Sequence, residues 1–317
     1  MSELGNNWER NVLEKLALSA IQEQRRTRRW GIFFKLLTFA YLFFLLAMVL
    51  DITGDSSDGL AGGKHTALIE VKGVIAADSM ANADNLIGSL QDAYKDKHTA
   101  GIILRVNSPG GSPVQAGLVN DEIKRLRALH PEIPLHVVVE DMCASGGYFI
   151  AAAADNIYVN KASIVGSIGV LMDGFGFTGT MDKLGVERRL MTAGENKGFM
   201  DPFSPRNPKH EAFTKGLLDD IHQQFIAVVR EGRGKRLKET PEMFSGLFWT
   251  GDKAIAMGLA DGIGSVDSVA RDIIKAETVL DFTARENIAD RLAKKLGAGV
   301  ASMFPGFGAQ GEGVVLR

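Results

Sequence analysis

The sequence predicts an α/β protein with a largely parallel sheet, preceded by one N-terminal transmembrane helix. Three observations lead to this prediction: short apolar strands alternate with helical segments, glycine-rich turns separate them, and a continuous apolar run precedes them all. Hydrophobic residues make up 45% of the 317 residues and charged residues 23%, which are values of a globular chain and exclude a disordered one.

Charge and cysteine content exclude further classes of protein. The chain has 36 Lys and Arg against 38 Asp and Glu, so no basic surplus indicates a nucleic-acid partner. Cys143 is the single cysteine, and one thiol can form neither an intrachain disulfide nor a cysteine-rich zinc site. We expect no cofactor and no metal.

Residues 31–50 form an apolar run with a single charge, Lys35, near its start. A helix of this length spans about 30 Å, the thickness of a bilayer core, and Lys35 can extend toward the headgroups. Mainly aspartates follow the run, whereas four arginines precede it, namely Arg25, Arg26, Arg28 and Arg29. The positive-inside rule then places residues 1–30, an N-terminal arm, in the cytoplasm. Everything after the run is expected on the periplasmic or extracytoplasmic side of the cytoplasmic (inner) membrane.

Two other interpretations fit the apolar run less well. A cleaved signal peptide has an apolar region of about 7–15 residues, whereas this run is longer and no clean A-x-A site follows it. A buried core helix is disfavoured because all faces of the run are apolar and arginines precede it. We therefore expect a single-pass signal anchor.

A flexible linker, residues 51–65, is expected to join the anchor to a domain over residues 66–281. Ser112 is placed to cap a helix that has Pro113 at its first position. Hydrophobic periodicity predicts strands over residues 66–76, 101–106 and 135–139, and helices over residues 81–95, 113–129 and 145–154.

The remainder of the domain gives weaker signals. Residues 186–193 have strand-like character, and residues 248–258 indicate a turn and a short helix that ends at Gly258. A C-terminal helix and flexible tail are expected over residues 282–317. A long amphipathic helix over residues 206–231 is predicted from one apolar stripe, Phe213, Leu217, Ile221, Phe225 and Val228.

Two glycine-rich turns, residues 107–112 (NSPGGS) and 143–148 (CASGGY), stand between a strand and a helix. Ligands bind at this edge of open parallel sheets. Ser145 lies where its hydroxyl can face a cleft, so it is a candidate nucleophile, with the Gly111 and Gly146 amides as a candidate oxyanion hole. Residue types alone favour a plainer interpretation, in which Ser145 caps a helix and the glycines only make turns.

A serine nucleophile needs a base, and residue patterns do not single one out. A lysine can serve when burial keeps its amine uncharged. Lys197 lies in a loop, residues 193–199, but its position alone gives it no privilege over other lysines. No histidine lies in a diagnostic motif, among His65, His98, His130, His136, His210 and His222.

Residues 174–179, GFGFTG, match the G-x-G-x-x-G spacing of dinucleotide sites. Such a site opens a helix within a βαβ unit and has an acidic residue about 20 positions on. Phe175 and Phe177 fit a strand better, and the helix that follows is short. We expect these rings to line a groove or pack against the sheet, and not to bind NAD.

Five motifs occur in a familiar order: NSPGGS, CASGGYFIAAAAD, VGSIGV, AGENKG and FWTGDKAIAMGLAD. Together they resemble the signal peptide peptidase A (protease IV) family of serine peptidases, in its short, single-repeat bacterial form. The resemblance covers residues 66–268 and extends to the single N-terminal anchor. Around the family's lysine, Asn196 stands where an aromatic residue is frequent and Gly198 where a small hydroxyl residue is frequent.

The resemblance implies a Clp protease/crotonase-like fold and a Ser-Lys dyad. Ser145 matches the family nucleophile, Lys197 matches its general base, and Ser167 matches a serine that helps to orient that lysine. Gly111 and Gly146 match the oxyanion-hole amides. The implied activity is that of a serine endopeptidase that hydrolyses remnant signal peptides and other hydrophobic peptides near the membrane.

The resemblance also implies a homo-oligomer in which the serine of one subunit meets the lysine of the next. We therefore expect Ser145 and Lys197 of one chain to lie beyond hydrogen-bonding distance. Two other functions are kept open, a crotonase-like acyl-CoA enzyme and a non-catalytic membrane scaffold of the same fold. Neither alternative needs the Ser-Lys pair.

Overall fold

The computed structural model describes residues 3–53 and 63–285. The chain divides into two compact units, residues 1–61 and 62–317. Most of the expected linker, and all but the first four residues of the expected C-terminal segment 282–317, lie outside the described residues.

The described residues of the N-terminal unit form one continuous helix, α1 (Glu3–Thr53). Within it, Glu23–Leu46 is long and apolar enough to cross a membrane, with a mean hydropathy of 1.5 and no residue buried inside the protein. The helix extends beyond both ends of the predicted run at residues 31–50. Most of the predicted N-terminal arm is thus helical.

The second unit contains an eight-stranded sheet. Its strands are β1 (His65–Lys72), β2 (Thr99–Ser108), β3 (Leu135–Ala144), β4 (Asn156–Val159), β5 (Ile164–Gly166), β6 (Phe248–Thr250), β7 (Gly262–Ile263) and β8 (Val279–Asp281). The strand order is β6-β5-β3-β2-β1-β8, and β4 pairs with both β3 and β7. Every pairing is parallel except that of β5 with β6, which confirms the predicted α/β class.

The helices of this unit connect or follow the strands. They are α2 (Ala83–Lys95), α3 (Pro113–Leu129), α4 (Gly146–Ala151), α5 (Thr178–Leu184), α6 (Pro208–Arg233), α7 (Gly251–Ala256) and α8 (Val266–Ser268), which continues as a π-helical turn, Val269–Ile274. A 3₁₀ turn, Gly234–Arg236, follows α6. The Ser112 side chain accepts from Gln115 N at the start of α3, so the predicted cap is confirmed.

The main core lies on one face of the sheet. Ile69 and Leu104 from the sheet pack in one cluster with Leu90 of α2, Ile123 of α3 and Phe225 of α6. Full burial of such a side chain stabilises the fold by about 1.5–3 kcal/mol. This layer of helices holds the carboxyl ends of β2 and β3, where the two glycine-rich turns begin.

A smaller cluster covers the opposite face of the sheet. There, Leu68, Ile103 and Val138 pack with Val269 and Ala270 of the π-helical turn. The sheet is thus covered on both faces, as parallel sheets generally are.

Residues 170–207, here called the exposed arm, contain α5 and contribute no buried residue. The strand-like prediction for residues 186–193 is wrong, because no strand forms there. Phe175 and Phe177 also lie outside any strand; Phe175 is 80% exposed, and the ring of Phe177 stacks on Phe203. In the part of the chain that the structure describes, this segment pairs with no strand.

Candidate active site

The first part of the site is the turn that joins β3 to α4. Ser145 precedes α4 with φ 50° and ψ −122°, a backbone conformation that L residues rarely adopt. Its N–H donates to the Gly166 carbonyl at 2.9 Å. Such strain costs about 1–3 kcal/mol and persists only where the surrounding structure fixes it. The Ser145 hydroxyl makes no capping hydrogen bond, so the plainer interpretation of this serine as a helix cap is wrong.

The second part is the glycine-rich turn after β2. A Cβ on Gly111 would lie 2.1 Å from the Ile75 carbonyl oxygen, and a Cβ on Gly110 would lie 2.6 Å from Ser145 Cβ. Gly110 has φ 101° and Gly111 has φ 150°, both in the region that favours glycine. Glycine at position 110 lets the two glycine-rich turns pack directly against each other, and glycine at position 111 lets the turn after β2 pack against the backbone of Ile75.

Two backbone amides come together beside Ser145. A Cβ on Gly146 would lie 3.2 Å from Gly111 N, which shows how closely the two glycines approach. In residues 3–53 and 63–285, neither the Gly111 N–H nor the Gly146 N–H has a hydrogen-bond acceptor. Both can therefore donate to a ligand, as an oxyanion hole requires.

A cavity of about 550 Å³ opens at these turns. Ser145, Ser167, Gly111 and Gly146 all contribute to its wall. The structure thus brings together four of the five predicted site residues. Among the described residues that line the cavity, none is charged.

Ser167 follows the end of β5, next to the Ser145 turn. Ala144 and Gly166 are paired in the parallel ladder of β3 and β5, so the two serines directly follow paired residues on strands about 4.8 Å apart. Ser167 also has a positive φ, 50°, and its N–H donates to the Leu247 carbonyl at 2.7 Å. Both serines therefore sit in strained turns held by backbone hydrogen bonds from neighbouring elements.

Lys197 is the predicted site residue that the structure does not bring to the cavity. It lies in a turn of the exposed arm, where its N–H donates to the Gly194 carbonyl at 3.1 Å. Its side chain is exposed and, within the described part of the chain, forms no hydrogen bond or ion pair. No hydrogen bond joins it to Ser145 there, in agreement with the expectation for a single chain.

A second nucleophilic side chain lies two residues before Ser145 but is inert. Cys143 is completely buried in the main core. Burial raises the pKa of its thiol far above the ordinary value, because the thiolate would lose its hydration there. Ser145 therefore has no competing thiolate beside it.

The sequence did not indicate which residues form the apolar side of the cavity. Phe149 of α4, Ile221 and Phe225 of α6, and Val170 and Leu171 at the start of the exposed arm line it. The amphipathic pattern of α6 was the available signal, and it predicted burial without showing that part of the stripe would face a cavity. The N-terminal part of the same stripe remains uncovered, since Phe213 is 62% exposed.

The match to a family model covers Ser145, Gly146, Ser167 and Lys197 but not Gly111. Residues 127–280 match the family model described as peptidase family S49. A protein named Protease 4 from Haemophilus influenzae is 29% identical over 219 residues, which are 68% of this chain and 35% of that protein. Over residues 127–280, which are just under half of the chain, the protein is similar to the S49 family of peptidases. The resemblance to the signal peptide peptidase A (protease IV) family is thereby confirmed.

Other relatives extend this finding. A chloroplastic serine protease SPPA from Arabidopsis thaliana is 28% identical over 218 residues, 66% of this chain and 32% of that protein. A protein named Na(+)/H(+) antiporter NhaA from Brucella melitensis is 47% identical over 184 residues, 58% of this chain. The matched segment covers 25% of the Brucella protein, so this chain spans about a quarter of that protein's length.

Two solved structures resemble this chain, each at 14% sequence identity. A ClpP1 variant from Listeria monocytogenes gives a TM-score of 0.40, with 62% of this chain and 91% of that chain covered. A membrane-bound stomatin-specific protease gives a TM-score of 0.37, with 71% and 97% covered.

Proposed function

We propose that this protein is a membrane-anchored serine endopeptidase, with Ser145 as nucleophile and Lys197 of a second copy as general base. One observation carries the proposal. The Ser145 hydroxyl has no intrachain hydrogen-bond partner in the described residues, and it lies at the wall of an uncharged cavity beside two amides without acceptors. A nucleophile and an oxyanion hole need this arrangement.

The proposed reaction has two steps. The neutral amine of Lys197 takes the proton from Ser145 Oγ as that oxygen attacks the peptide carbonyl carbon. The Gly111 and Gly146 amides donate to the oxyanion, an interaction worth about 3 kcal/mol per donor in measured cases. The lysine ammonium then protonates the leaving amine, and water releases the acyl group from Ser145 with Lys197 again as base.

Ser167 is proposed to position the lysine amine. Its hydroxyl has no intrachain partner in the described residues, it lines the cavity, and it follows the strand next to Ser145. An amine placed between the two serines could donate to Ser167 Oγ while its lone pair faces Ser145 Oγ. An uncharged cavity favours the neutral form of such an amine, because a charged one would lose its hydration there.

The arrangement of the exposed arm supports a homo-oligomer with the dyad shared between copies. Lys197 is on a segment without buried residues, and this segment exposes large apolar side chains such as Leu171 (81%), Leu184 (72%) and Met191 (93%). Soluble monomers rarely expose large continuous apolar patches. A second copy packed on the arm would bury these side chains and could bring Lys197 to a neighbour's Ser145.

The cavity supports hydrophobic peptides as substrates. Phe149, Ile221 and Phe225 offer apolar contacts on one side, and no charged side chain among the described lining residues would select a charged peptide. Remnant signal peptides have this character. The segment Glu23–Leu46 could hold the enzyme beside such substrates, at the outer face of the cytoplasmic membrane, and so raise their effective concentration.

A fluorophosphonate probe on the full-length protein in detergent tests the proposal, together with cleavage of a hydrophobic reporter peptide. We expect labelling at Ser145, no labelling of Ser145→Ala, and strongly reduced labelling of Lys197→Ala. Lys183→Ala is the matched control, because Lys183 is another exposed lysine of the arm. Absence of labelling and cleavage in the wild-type protein would favour the crotonase-like or scaffold alternatives.

A further inference from the structure

One histidine touches the backbone of the candidate active site. His222 lies on α6, one residue after Ile221, which lines the cavity. Its Nε2 atom is 3.1 Å from the carbonyl oxygen of Ile168. Ile168 stands between Ser167 and Gly169, and both of these line the cavity. His222 thus contacts the segment that carries Ser167 without lining the cavity itself.

The segment that His222 contacts is strained and held mainly by backbone hydrogen bonds. Ser167 has φ 50°, and its N–H donates to the Leu247 carbonyl at 2.7 Å. The Gly169 N–H donates to the Ser167 carbonyl at 2.9 Å. Among the described residues, His222 provides the one side-chain hydrogen bond to the backbone from Ser167 to Gly169. Removal of that bond leaves the strained turn with its backbone contacts alone.

The chemistry of the contact fixes the role of the ring. A carbonyl oxygen only accepts, so Nε2 must carry the hydrogen. Both the neutral Nε2–H tautomer and the imidazolium carry that hydrogen. The bond therefore needs no change of charge on His222.

We infer that His222 is a positioning residue, whose Nε2–H holds the Ile168 carbonyl and thereby fixes Ser167 for the incoming lysine amine. This inference rests on the proposed function of Ser145 and Lys197. Helix α6 then has two roles. Ile221 and Phe225 line the cavity in which substrate would bind, and His222 fixes the turn that carries Ser167.

The test compares three substitutions at one position, measured by cleavage of a hydrophobic reporter peptide. His222→Leu removes the donor, and we expect kcat to fall about 100-fold, as misplacement of a catalytic group by about 1 Å can cause. KM should change less than about threefold because the apolar cavity wall stays intact. His222→Gln supplies an amide N–H, and we expect it to restore kcat to within about tenfold of the wild-type value.

His222→Glu is the matched polar variant, because its carboxylate has the shape of glutamine but cannot donate when ionised. We expect it to lose activity like His222→Leu, and it keeps the comparison valid if the leucine variant folds poorly. Gln223→Leu, at an exposed neighbouring position of α6, should retain wild-type kinetics. Thermal unfolding of each variant checks that the fold is retained.

Two results would overturn the inference while leaving the proposed function intact. One is wild-type kcat in both His222→Leu and His222→Glu. The other is a glutamine variant as inactive as the leucine variant and lacking one limb of the pH profile, which would identify His222 as a proton-transfer group instead. A wild-type protein whose Ser145 does not react with a fluorophosphonate would contradict the proposed function itself.

Discussion

The Ser145 turn and the exposed arm differ in how they are built, although both carry residues of the proposed dyad. Around the Ser145 turn, glycines allow very close backbone contacts. A Cβ on the adjacent Gly111, for example, would lie 2.1 Å from the Ile75 carbonyl oxygen. On the arm, from residue 170 to 207, no residue is buried. The difference teaches that one half of the site is fixed by its own chain. The other half is not buried by the described chain, and in the proposed assembly a second copy would bury it and fix its geometry.

The same contrast is seen between an ion pair of the sheet-containing part of the second unit and an ion pair of the exposed arm. Arg233 of α6 is 1% exposed, and it donates to both carboxylate oxygens of Asp261 at 2.8 and 2.9 Å. Desolvation by burial raises the pKa of Asp261, but the hydrogen bonds from Arg233 and the Ile157 N–H, together with the charges of Arg233 and Arg236, outweigh it, so the pKa lies below its usual value. On the arm, Arg188 meets Asp201 at 3.4 Å with its side chain 45% exposed.

The largest expected effects are losses of activity. The stability changes that accompany them should differ between Ser145 and Lys197. Ser145→Gly and Lys197→Ala should each lower kcat by about 10⁴-fold or more, as the loss of a serine nucleophile or its base does. Ser145→Gly should also raise the unfolding free energy by about 1 kcal/mol, because glycine relieves the strain at φ 50°. Lys197→Ala should leave stability within about 0.5 kcal/mol, since its side chain is exposed. Kinetics and urea unfolding check both.

A stabilising effect of Lys197→Ala larger than that of Ser145→Gly would contradict the comparison. It would mean that the lysine, and not the serine, is held under strain within its own chain.

The next effect is on stability alone. Arg233→Ala should lower the unfolding free energy by about 3 kcal/mol, because it removes both hydrogen bonds of the guanidinium to the half-buried Asp261 carboxylate and leaves that carboxylate, among the described residues, one ion pair, with Arg236 at 3.2 Å. Arg188→Ala, its counterpart on the arm, should cost at most about 1 kcal/mol. Urea unfolding of the two variants measures the difference. Equal losses of unfolding free energy would show that the surroundings of Arg188 on the arm are as well packed as those of Arg233.

The smallest expected effect is a pH dependence of the free energy of unfolding, caused by His136 of β3. Burial lowers the pKa of His136, an effect that Asp155 opposes and Arg127 adds to. The unfolded chain therefore binds a proton below the ordinary value of 6.5 while the folded chain does not, and stability falls as pH falls below that value. Above it, both states are neutral and His136 contributes no slope. For one proton the slope is at most about 1.4 kcal/mol per pH unit.

His136→Phe should flatten this part of the stability curve, measured by urea unfolding between pH 7 and pH 5. An unchanged slope in that variant would show that other groups cause the acid sensitivity. His136 is the suitable probe because it is 4% exposed and its Nδ1 atom has no hydrogen-bond partner in the described chain.

Local sequence signals predicted the sheet region well. The strands β1 to β3, the helices α2 and α3 and the Ser112 cap all follow from periodicity and capping residues, because those residues are buried or satisfied within their own chain. The same holds for the two glycine-rich turns, where close approach requires glycine and brings Ser145 to the cavity.

Local signals failed for the exposed arm, and the reason is physical. Apolar residues such as Val186 and Leu190 indicated a strand, but in the described chain this segment pairs with no strand of the sheet. In the same way, nothing near Lys197 in the sequence distinguishes it, since the surroundings that would make it a base are not provided by its own segment. Only the resemblance to a family singled it out.

The direct test of the central claim, that the two halves of the site come from different copies, is to mix two inactive variants. Ser145→Ala and Lys197→Ala proteins, each inactive, are combined in detergent under conditions that allow subunits to exchange, and peptide cleavage is measured. If subunits meet head to tail and exchange at random, about a quarter of the sites regain both residues, and activity should return to about that fraction of the wild-type value. Mixed assemblies that form but remain inactive would contradict the claim.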